Sequence, residues 1–211
     1  MFAYSFMQRA LIAIILLGII LPIIGLNMTT KRLSMIGDTL SHTSLCGIAL
    51  GLAAGTMPTV WAIGVSIVAG IIIEIVRNHF KKYSELTLSI VMSTSVGVAG
   101  ILTSKWASGN KIESYLFGSL ITVQWDSIWI IIGVSIITIL FNLIFYRTIM
   151  YTSYSESEAR ISGVPVKAMN LINTILVACV VAVASSIIGS LLVSSLLVIP
   201  VASSLQLCKS Y

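Results

Sequence analysis

The stretch from Ala10 to Asn27 reads ALIAIILLGIILPIIGLN, eighteen residues without a charged side chain. At a rise of about 1.5 Å per residue, a helix of this length nearly matches the hydrocarbon core of a bilayer, which is about 30 Å thick. No small-residue cleavage pattern follows Leu26, so the run is not typical of a secretory signal. It predicts a transmembrane helix.

The composition of the whole chain agrees with this interpretation. Of its 211 residues, 57% are hydrophobic and only 9% are charged, and the mean hydropathy is +1.06. Soluble domains carry about 25% charged residues. The composition therefore argues against a cytosolic enzyme, a disulfide-stapled secreted module and a disordered chain. Cys46, Cys179 and Cys208 have no C-x-x-C spacing and do not suggest a zinc knuckle or a disulfide framework.

Apolar runs separated by charged or turn-forming residues predict an all-α, polytopic transmembrane helical bundle of about seven spans, forming a single domain over residues 1–211. The second span is the least apolar, because polar residues crowd its first two turns, and the last two are joined at Ser185 and Ser186 with almost no loop. The predicted spans are Ala10 to Asn27, Met35 to Gly55, Thr59 to Val76, Glu85 to Thr103, Asp126 to Tyr146, Ala168 to Ala184, and Ile187 to Leu207.

The distribution of Lys and Arg predicts the orientation, since cytoplasmic loops retain positive charge. With seven spans, nine of these residues fall on one face and three (Arg9, Lys105 and Lys111) on the other. We therefore expect the amino terminus outside an inner, or cell, membrane, with lipid around the bundle. This topology accounts for the net charge of +5, and no basic run interleaved with aromatics suggests nucleic-acid binding.

Two connecting segments are distinctive. Residues 147–167 form the only sizeable cytoplasmic segment, and the sequence predicts a short surface helix followed by a turn there, either a solvated connector or a docking element. On the opposite face, the apolar stretch from Tyr115 to Leu120 is too short to span and predicts an interfacial or re-entrant element.

The chemistry is concentrated in the second span. Asp38 and His42 are four residues apart, which places both side chains on one helical face, and carboxylate with imidazole is a common ligand pair for a divalent metal. Cys46 continues the same row and is a weaker candidate ligand. The alternative is that Asp38 caps the helix and His42 bonds a nearby carbonyl, while Cys46 packs as a small hydrophobe.

Other features predict packing rather than chemistry. Gly47, Gly51 and Gly55 form a stripe that would let a neighbouring helix approach closely, and Glu74 is expected to snorkel or to pair with Arg77. The sequence has no phosphate loop, no nucleophile elbow and no H-E-x-x-H motif. It is therefore not expected to be an enzyme.

Four segments resemble one known family. KRLSMIGDTLSHTSLCGIALG, residues 31–51, is similar to the G-D-x-[LI]-[SA]-H-x-x-L-x-G signature of the membrane permeases of zinc and manganese ABC importers. ESYLFGSL, residues 113–120, resembles the family's extracellular segment, and GSLLVSSLLVIPVASS, residues 189–204, resembles a signature helix. SESEARISGVPV, residues 155–166, resembles the segment that couples the permease to its ATPase.

This resemblance implies a permease subunit that conducts Zn²⁺ or Mn²⁺ inward, with no permanently bound cofactor. It implies a second permease copy, cytoplasmic ABC ATPase subunits and an extracellular or periplasmic metal-binding protein as partners. Asp38 and His42 would be metal ligands, doubled about a twofold axis, and Glu158, Ala159 and Gly163 would contribute to ATPase coupling.

Two differences from the family pattern stand out. Members of the family often have Pro or Leu where Cys46 stands, and they continue for one or two more hydrophobic segments, whereas this chain ends at Tyr211. A truncated permease lacking its last one or two helices is therefore expected. The alternatives are a proton-coupled secondary metal transporter, which would need a second buried carboxylate coupled to Asp38, and a non-functional truncated permease.

Overall fold

The fold is given by a computed structural model, which describes residues 5–31, 33–80, 83–106, 116, 118 and 125–207. Across these residues the chain is helical apart from short turns. The helices are α1 (Ser5–Thr30), α2 (Ile36–Ala53), α3 (Pro58–His79), α4 (Ser84–Trp106), α5 (Trp125–Ile144), α6 (Tyr146–Tyr154), α7 (Glu156–Ile161), α8 (Val166–Ile188) and α9 (Ser190–Leu207).

Six of these helices, α1, α3, α4, α5, α8 and α9, are long and apolar enough to cross a membrane. The seventh predicted span corresponds to α2, which has 18 residues but is too polar to belong to this group. The sequence therefore predicts the long helices of the described part correctly. The structure separates six lipid-compatible helices from one polar helix.

α2 lies inside the bundle, packed against α3, α4, α8 and α9. Thirteen of its 18 residues are buried. Its buried hydroxyls bond to carbonyls of its own preceding turn, as Ser41 does to Gly37 (2.8 Å) and Thr43 to Leu40 (2.8 Å). Because the surrounding helices and these bonds replace water, a helix of modest hydropathy can lie at membrane depth.

The main apolar core lies between α1, α2, α8 and α9, with contributions from α3, α4 and α5. In α1 the buried side chains recur every three or four residues, as at Leu17, Leu21 and Ile24, whereas Ile15 and Ile19 on the other face are exposed. A helix with one face in a protein core and an equally apolar exposed face suits a lipid environment. Apolar side chains on both faces of such helices explain why so few residues of the chain are charged.

Two connections differ from the expected ones. Residues 147–167 hold two short helices, α6 and α7, instead of one, because α6 follows α5 after the single residue Phe145. The break between the last two spans lies at Gly189 rather than at Ser185 and Ser186, since α8 continues to Ile188. Gly189 has a φ of 96°, a conformation that glycine adopts without steric cost. Most of the predicted interfacial element, residues 115–120, lies outside the described residues.

Candidate metal-binding site

Asp38 and His42 lie one turn apart near the start of α2. The distance from His42 Nε2 to Asp38 Oδ1 is 3.8 Å. The Asp38 side chain is 39% exposed and that of His42 is 17% exposed, in a helix that is otherwise mostly buried. The two side chains therefore form a polar pair that is accessible from outside the chain.

The packing of α2 explains why these two side chains are accessible. Ile36 and Leu40 are fully buried on the core side of the helix. Gly37 lies against Leu197 of α9, so closely that an added Cβ would be 3.2 Å from Leu197 Cδ1. Since the opposite side of the first turns is held in the core, Asp38 and His42 occupy the more open side.

The capping alternative does not match the helix start. Met35 occupies the position before α2, with φ −75° and ψ −9°, and no side chain makes a capping hydrogen bond there. Asp38 instead lies inside the first turn, where a carboxylate still interacts favourably with the helix dipole. The His42 imidazole lies next to it, one turn further along the same helix.

Cys46 does not share the opening. Its side chain is 6% exposed and packs with Leu45, Ala99 and the half-buried Leu50 and Leu116. A thiol in such surroundings acts as a small hydrophobic side chain. Within the described part of the chain, no group of three or more His, Cys, Asp and Glu side chains could hold a metal ion. Among the described residues this leaves Asp38 and His42 as two candidate ligands, whereas Zn²⁺ takes about four ligands and other divalent ions about six.

The three glycines of the predicted packing stripe have two different roles. A Cβ on Gly47 would lie 2.6 Å from the Trp61 carbonyl oxygen and 2.7 Å from Ala62 Cα, and one on Gly51 would lie 2.8 Å from Pro58 Cα. The backbones of α2 and α3 thus meet without intervening side chains at these two positions. Gly55 was predicted to extend this stripe, but it lies in the turn beyond α2 with a φ of 68° and open space around it.

Glu74 is buried instead of snorkelling, with 1% of its surface exposed. Its Oε1 accepts hydrogen bonds from Arg77 (2.9 Å) and Asn78 (3.1 Å), and its Oε2 accepts one from Thr174 of α8 (3.3 Å). The expected pairing with Arg77 is present. Three donors occupy the carboxylate, which leaves it unsuited to bind an ion.

The predicted coupling residues lie in and after α7. Ser155 caps this helix, since its Oγ accepts a hydrogen bond from the Glu158 amide (3.4 Å), and Glu158 itself is exposed. Ala159 is the fully buried residue of α7, and its carbonyl accepts a hydrogen bond from the Val164 amide (3.1 Å). Gly163 has a φ of 80°, so the turn after α7 uses a conformation that favours glycine.

Sequence reasoning missed a polar cluster at the same end of the bundle. Lys31, which follows α1, donates a hydrogen bond to Asn170 of α8, and Asn170 donates one to Glu156 of α7. A cleft of about 310 Å³ lies beside them. It is lined by Lys31, Leu33, Arg77, Asn78, Ser84, Glu85 and Glu156. These residues come from segments that the charge count assigned to the cytoplasmic face.

Comparison with known protein families identifies the family of this chain. The sequence profile described as the ABC 3 transport family matches residues 3–211. The chain belongs to this family. It is therefore a member of a family of transport permeases and a multi-pass protein of the cell membrane.

Several relatives in this family carry descriptive names. The chain is 34% identical over 207 residues to the "Probable metal transport system membrane protein" of Treponema pallidum, covering 98% of this chain and 78% of that protein. It is 30% identical to the manganese import system permease protein ScaB of Streptococcus gordonii, over 98% of this chain and 74% of ScaB. It is 27% identical to the high-affinity zinc uptake system membrane protein ZnuB of Haemophilus influenzae, over 98% of this chain and 80% of ZnuB.

The fold has a similar solved counterpart. PsaBC from Streptococcus pneumoniae, determined in complex with a Fab, superposes with a TM-score of 0.84 at 28% sequence identity. The match covers 99% of this chain and 75% of that one. The helical arrangement described above is therefore that of an ABC transporter permease.

Proposed function

We propose that this chain is the permease subunit of an ATP-driven importer and that it conducts Zn²⁺ or Mn²⁺ across the cell membrane. The observation that carries this proposal is the accessible Asp38–His42 pair on α2, a polar helix packed among apolar ones. Ionisable side chains at membrane depth are costly and usually serve an ion pathway. Similar proteins are named as a manganese import system permease protein and a high-affinity zinc uptake system membrane protein, which supports this cargo.

Two copies of the chain complete the metal site in this proposal. The two ligands of one chain are too few for a transition-metal ion, and both are accessible from outside the chain. A twofold axis beside α2 would bring two carboxylates and two imidazoles together. Such a mixed oxygen and nitrogen set accepts both Zn²⁺ and Mn²⁺, and it binds an ion in transit without the strength of a thiolate site.

The cytoplasmic ATPase docks on α7 and the turn after it in this proposal. Glu158 is exposed on α7, and the buried Ala159 and the left-handed Gly163 fix the shape of the helix and turn. An external metal-binding protein would deliver the ion to the opposite face. ATP hydrolysis belongs to the ATPase subunit, so the permease contributes the pathway and the docking surface.

A proton-coupled mechanism has less support. Such a transporter needs a buried carboxylate that gains and loses a proton, and Glu74 is the fully buried carboxylate of the described residues. Its two oxygens already accept hydrogen bonds from Arg77, Asn78 and Thr174, an arrangement that favours a structural role in helix packing. It also lies at the cytoplasmic end of α3, where it fastens α3 to α8.

The test is metal uptake by proteoliposomes that contain the permease and its ATPase. Asp38→Ala and His42→Ala should each reduce uptake of radioactive Mn²⁺ and Zn²⁺ to background, because each removes one of two ligands per chain. Assembly with the ATPase should persist, since neither side chain is part of the core. Cys46→Ala is the matched control on the same helix and should retain uptake, because Cys46 only packs against apolar neighbours.

Normal uptake by either ligand variant would refute the assigned site. Absence of uptake in the unmodified assembly, with the ATPase bound and ATP supplied, would refute transport and would favour a non-transporting permease.

A further inference from the structure

Asn170 joins three parts of the molecule at the end of the bundle that carries α7. It lies near the start of α8 and is 4% exposed. Its side-chain oxygen accepts a hydrogen bond from Lys31 Nζ at 2.6 Å, and its side-chain nitrogen donates one to Glu156 Oε1 at 3.0 Å. One buried amide therefore connects the segment before α2, the helix α8 and the first residue of α7.

The chemistry of the two neighbours fixes the orientation of this amide. A lysine amine in its charged form only donates hydrogen bonds, and an ionised glutamate only accepts them. The Asn170 oxygen must therefore face Lys31 and its nitrogen must face Glu156. The arrangement is directional, and both bonds involve a charged partner, which makes them stronger than bonds between neutral groups.

On one side, Asn170 is connected to the candidate metal ligands by a short path. Lys31 is followed by a tight turn in which the Leu33 amide bonds to the Met28 carbonyl (2.9 Å) and the Ile36 amide bonds to the Leu33 carbonyl (3.0 Å). α2 begins at Ile36, and Asp38 lies in its first turn. A displacement of Lys31 therefore reaches the start of α2 through a turn that backbone hydrogen bonds hold together.

On the other side, Asn170 contacts the proposed docking element. Glu156 is the first residue of α7, the helix that carries Glu158 and Ala159. α7 has only six residues, so a shift of the helix as a whole moves Glu156 with it. The same amide that bonds to Glu156 holds Lys31.

We propose that Asn170 is a positioning residue that couples movement of α7 to the orientation of the metal-binding turn of α2, through the chain Glu156–Asn170–Lys31. This role rests on the proposed transport function. When the ATPase displaces α7, the bond to Glu156 shifts Asn170, and the bond to Lys31 shifts the turn that precedes Asp38. The cargo site thereby responds to the ATPase without direct contact between the two.

Asn170→Asp tests the directionality of the chain. The carboxylate still accepts the bond from Lys31, but it cannot donate to Glu156 and repels it. We expect the number of metal ions taken up per ATP hydrolysed, measured in proteoliposomes of the complete assembly, to fall at least about tenfold, the factor that corresponds to loss of one hydrogen bond to a charged group.

A second substitution should restore coupling. In the double variant Asn170→Asp with Glu156→Gln, the glutamine amide donates a hydrogen bond to the carboxylate at position 170. Lys31 still donates its hydrogen bond to that carboxylate. Both bonds are therefore present, and the bond between positions 156 and 170 runs in the opposite direction. Uptake per ATP should recover to within about twofold of the unmodified protein, since the bond count is the same. Glu156→Gln alone should have little effect, because glutamine also accepts the bond from Asn170.

Thr174→Val is the matched control. Thr174 lies one turn after Asn170 on α8 and bonds to Glu74 at 3.3 Å, so this change removes a neighbouring polar contact but leaves the chain through Asn170 intact. Coupling should persist. An equal loss in this control would mean that any loosening of α8 uncouples transport, and the positioning role would be refuted.

Hydrogen exchange of the purified permease gives a readout that does not need the ATPase. Amides from Leu33 to Asp38 should exchange faster in Asn170→Asp and return to the original rate in the double variant. Unchanged exchange together with unchanged coupling in Asn170→Asp would overturn the proposal while leaving the transport function in place. Failure of the unmodified assembly to take up metal would overturn both.

Discussion

At the scale of single residues, position within the bundle changes the chemistry of ordinary side chains. Lys31 lies just beyond the end of α1, and burial, with the nearby Arg77, lowers the pKa of its amine to about 8. Glu156 and Glu74 act on this pKa in the opposite direction but do not compensate. A lysine that titrates within reach of physiological pH is unusual, since the ordinary value is near 10.5.

This shift predicts a dependence of stability on pH. The folded-state pKa of Lys31 lies below its value in the unfolded chain, so between about pH 8 and pH 10.5 the unfolded chain binds more protons and the stability contribution of this residue rises with pH. Lys31→Met removes this contribution. In detergent, the melting temperature of the variant minus that of the unmodified protein should therefore decrease between pH 7 and pH 9.5.

The comparison with the variant cancels the titration of other groups, such as the tyrosines. A melting-temperature difference that is constant over this pH range would contradict the lowered pKa.

The residue pairs show what sequence alone could predict. Asp38 with His42 and Glu74 with Arg77 are separated by four and three residues, and helical geometry is sufficient to bring each pair together. The bond between Lys31 and Asn170 joins residues 139 positions apart, and that between Thr174 and Glu74 joins residues 100 apart. Nothing in the spacing of these residues indicates contact, because it depends on which helices pack together.

At the scale of secondary-structure elements, the contact between α2 and α3 depends on glycine. Gly47→Ala should destabilise the protein by about 1–3 kcal/mol, as overpacking of a close contact usually does, because the added methyl would meet the Trp61 carbonyl and Ala62. Gly64→Ala on α3 is the matched control, since nothing lies within 4 Å of a Cβ there. It should be neutral or stabilising by up to about 1 kcal/mol.

Reversible unfolding of both variants in mixed micelles measures the difference. If Gly47→Ala and Gly64→Ala had equal free energies of unfolding, the α2 and α3 backbones would be free to move apart at Gly47.

α7 and its turn provide a second prediction at this scale. Gly163→Val forces a β-branched residue into a φ of 80°, at a cost of about 1–2 kcal/mol. The turn should rearrange, and the ATPase should no longer be recovered with the permease in a pull-down, while membrane insertion persists. Ser162→Ala is the control, because Ser162 is exposed and has a φ of −77°. Retention of the ATPase by Gly163→Val would contradict docking on this element.

Hydropathy predicted the long helices well but not how they end. The apolar runs fixed α1, α3 and α8 to within a few residues, since burial in lipid or core requires such runs. The break at Gly189 was misplaced because two serines look like a turn, yet Ser185 and Ser186 bond back to carbonyls of α8 and remain helical. Gly55 was misassigned for a related reason, since a repeat of glycines does not show where a helix stops.

At the scale of the whole molecule, the segments rich in Lys and Arg share one end. The cleft beside Lys31 is lined by residues of the α1–α2 connection, the end of α3, the start of α4 and the start of α7. At the other end, the Arg9 guanidinium lies 5.6 Å from the centre of the Trp125 ring, as suits an interfacial anchor. The charge distribution therefore predicts that the Lys31 end is cytoplasmic and that the amino terminus lies outside.

Thiol labelling tests this topology. In a cysteine-free background, Met57→Cys and Ile161→Cys place single thiols at exposed positions at opposite ends of the bundle, with exposures of 63% and 87% in the original residues. An impermeant maleimide added to intact cells should label position 57 and spare position 161. In permeabilised cells both positions should be labelled. Labelling of position 161 but not of position 57 in intact cells would show that the topology is opposite to the predicted one.

The glycine contact between α2 and α3 also limits how the molecule can move. At Gly47 and Gly51 the backbones of α2 and α3 are in direct contact. Because no layer of side chains lies between them that could repack during a movement, we expect the two helices to move together. Any swing that presents Asp38 first to one side of the membrane and then to the other must carry α3 as part of the same rigid body.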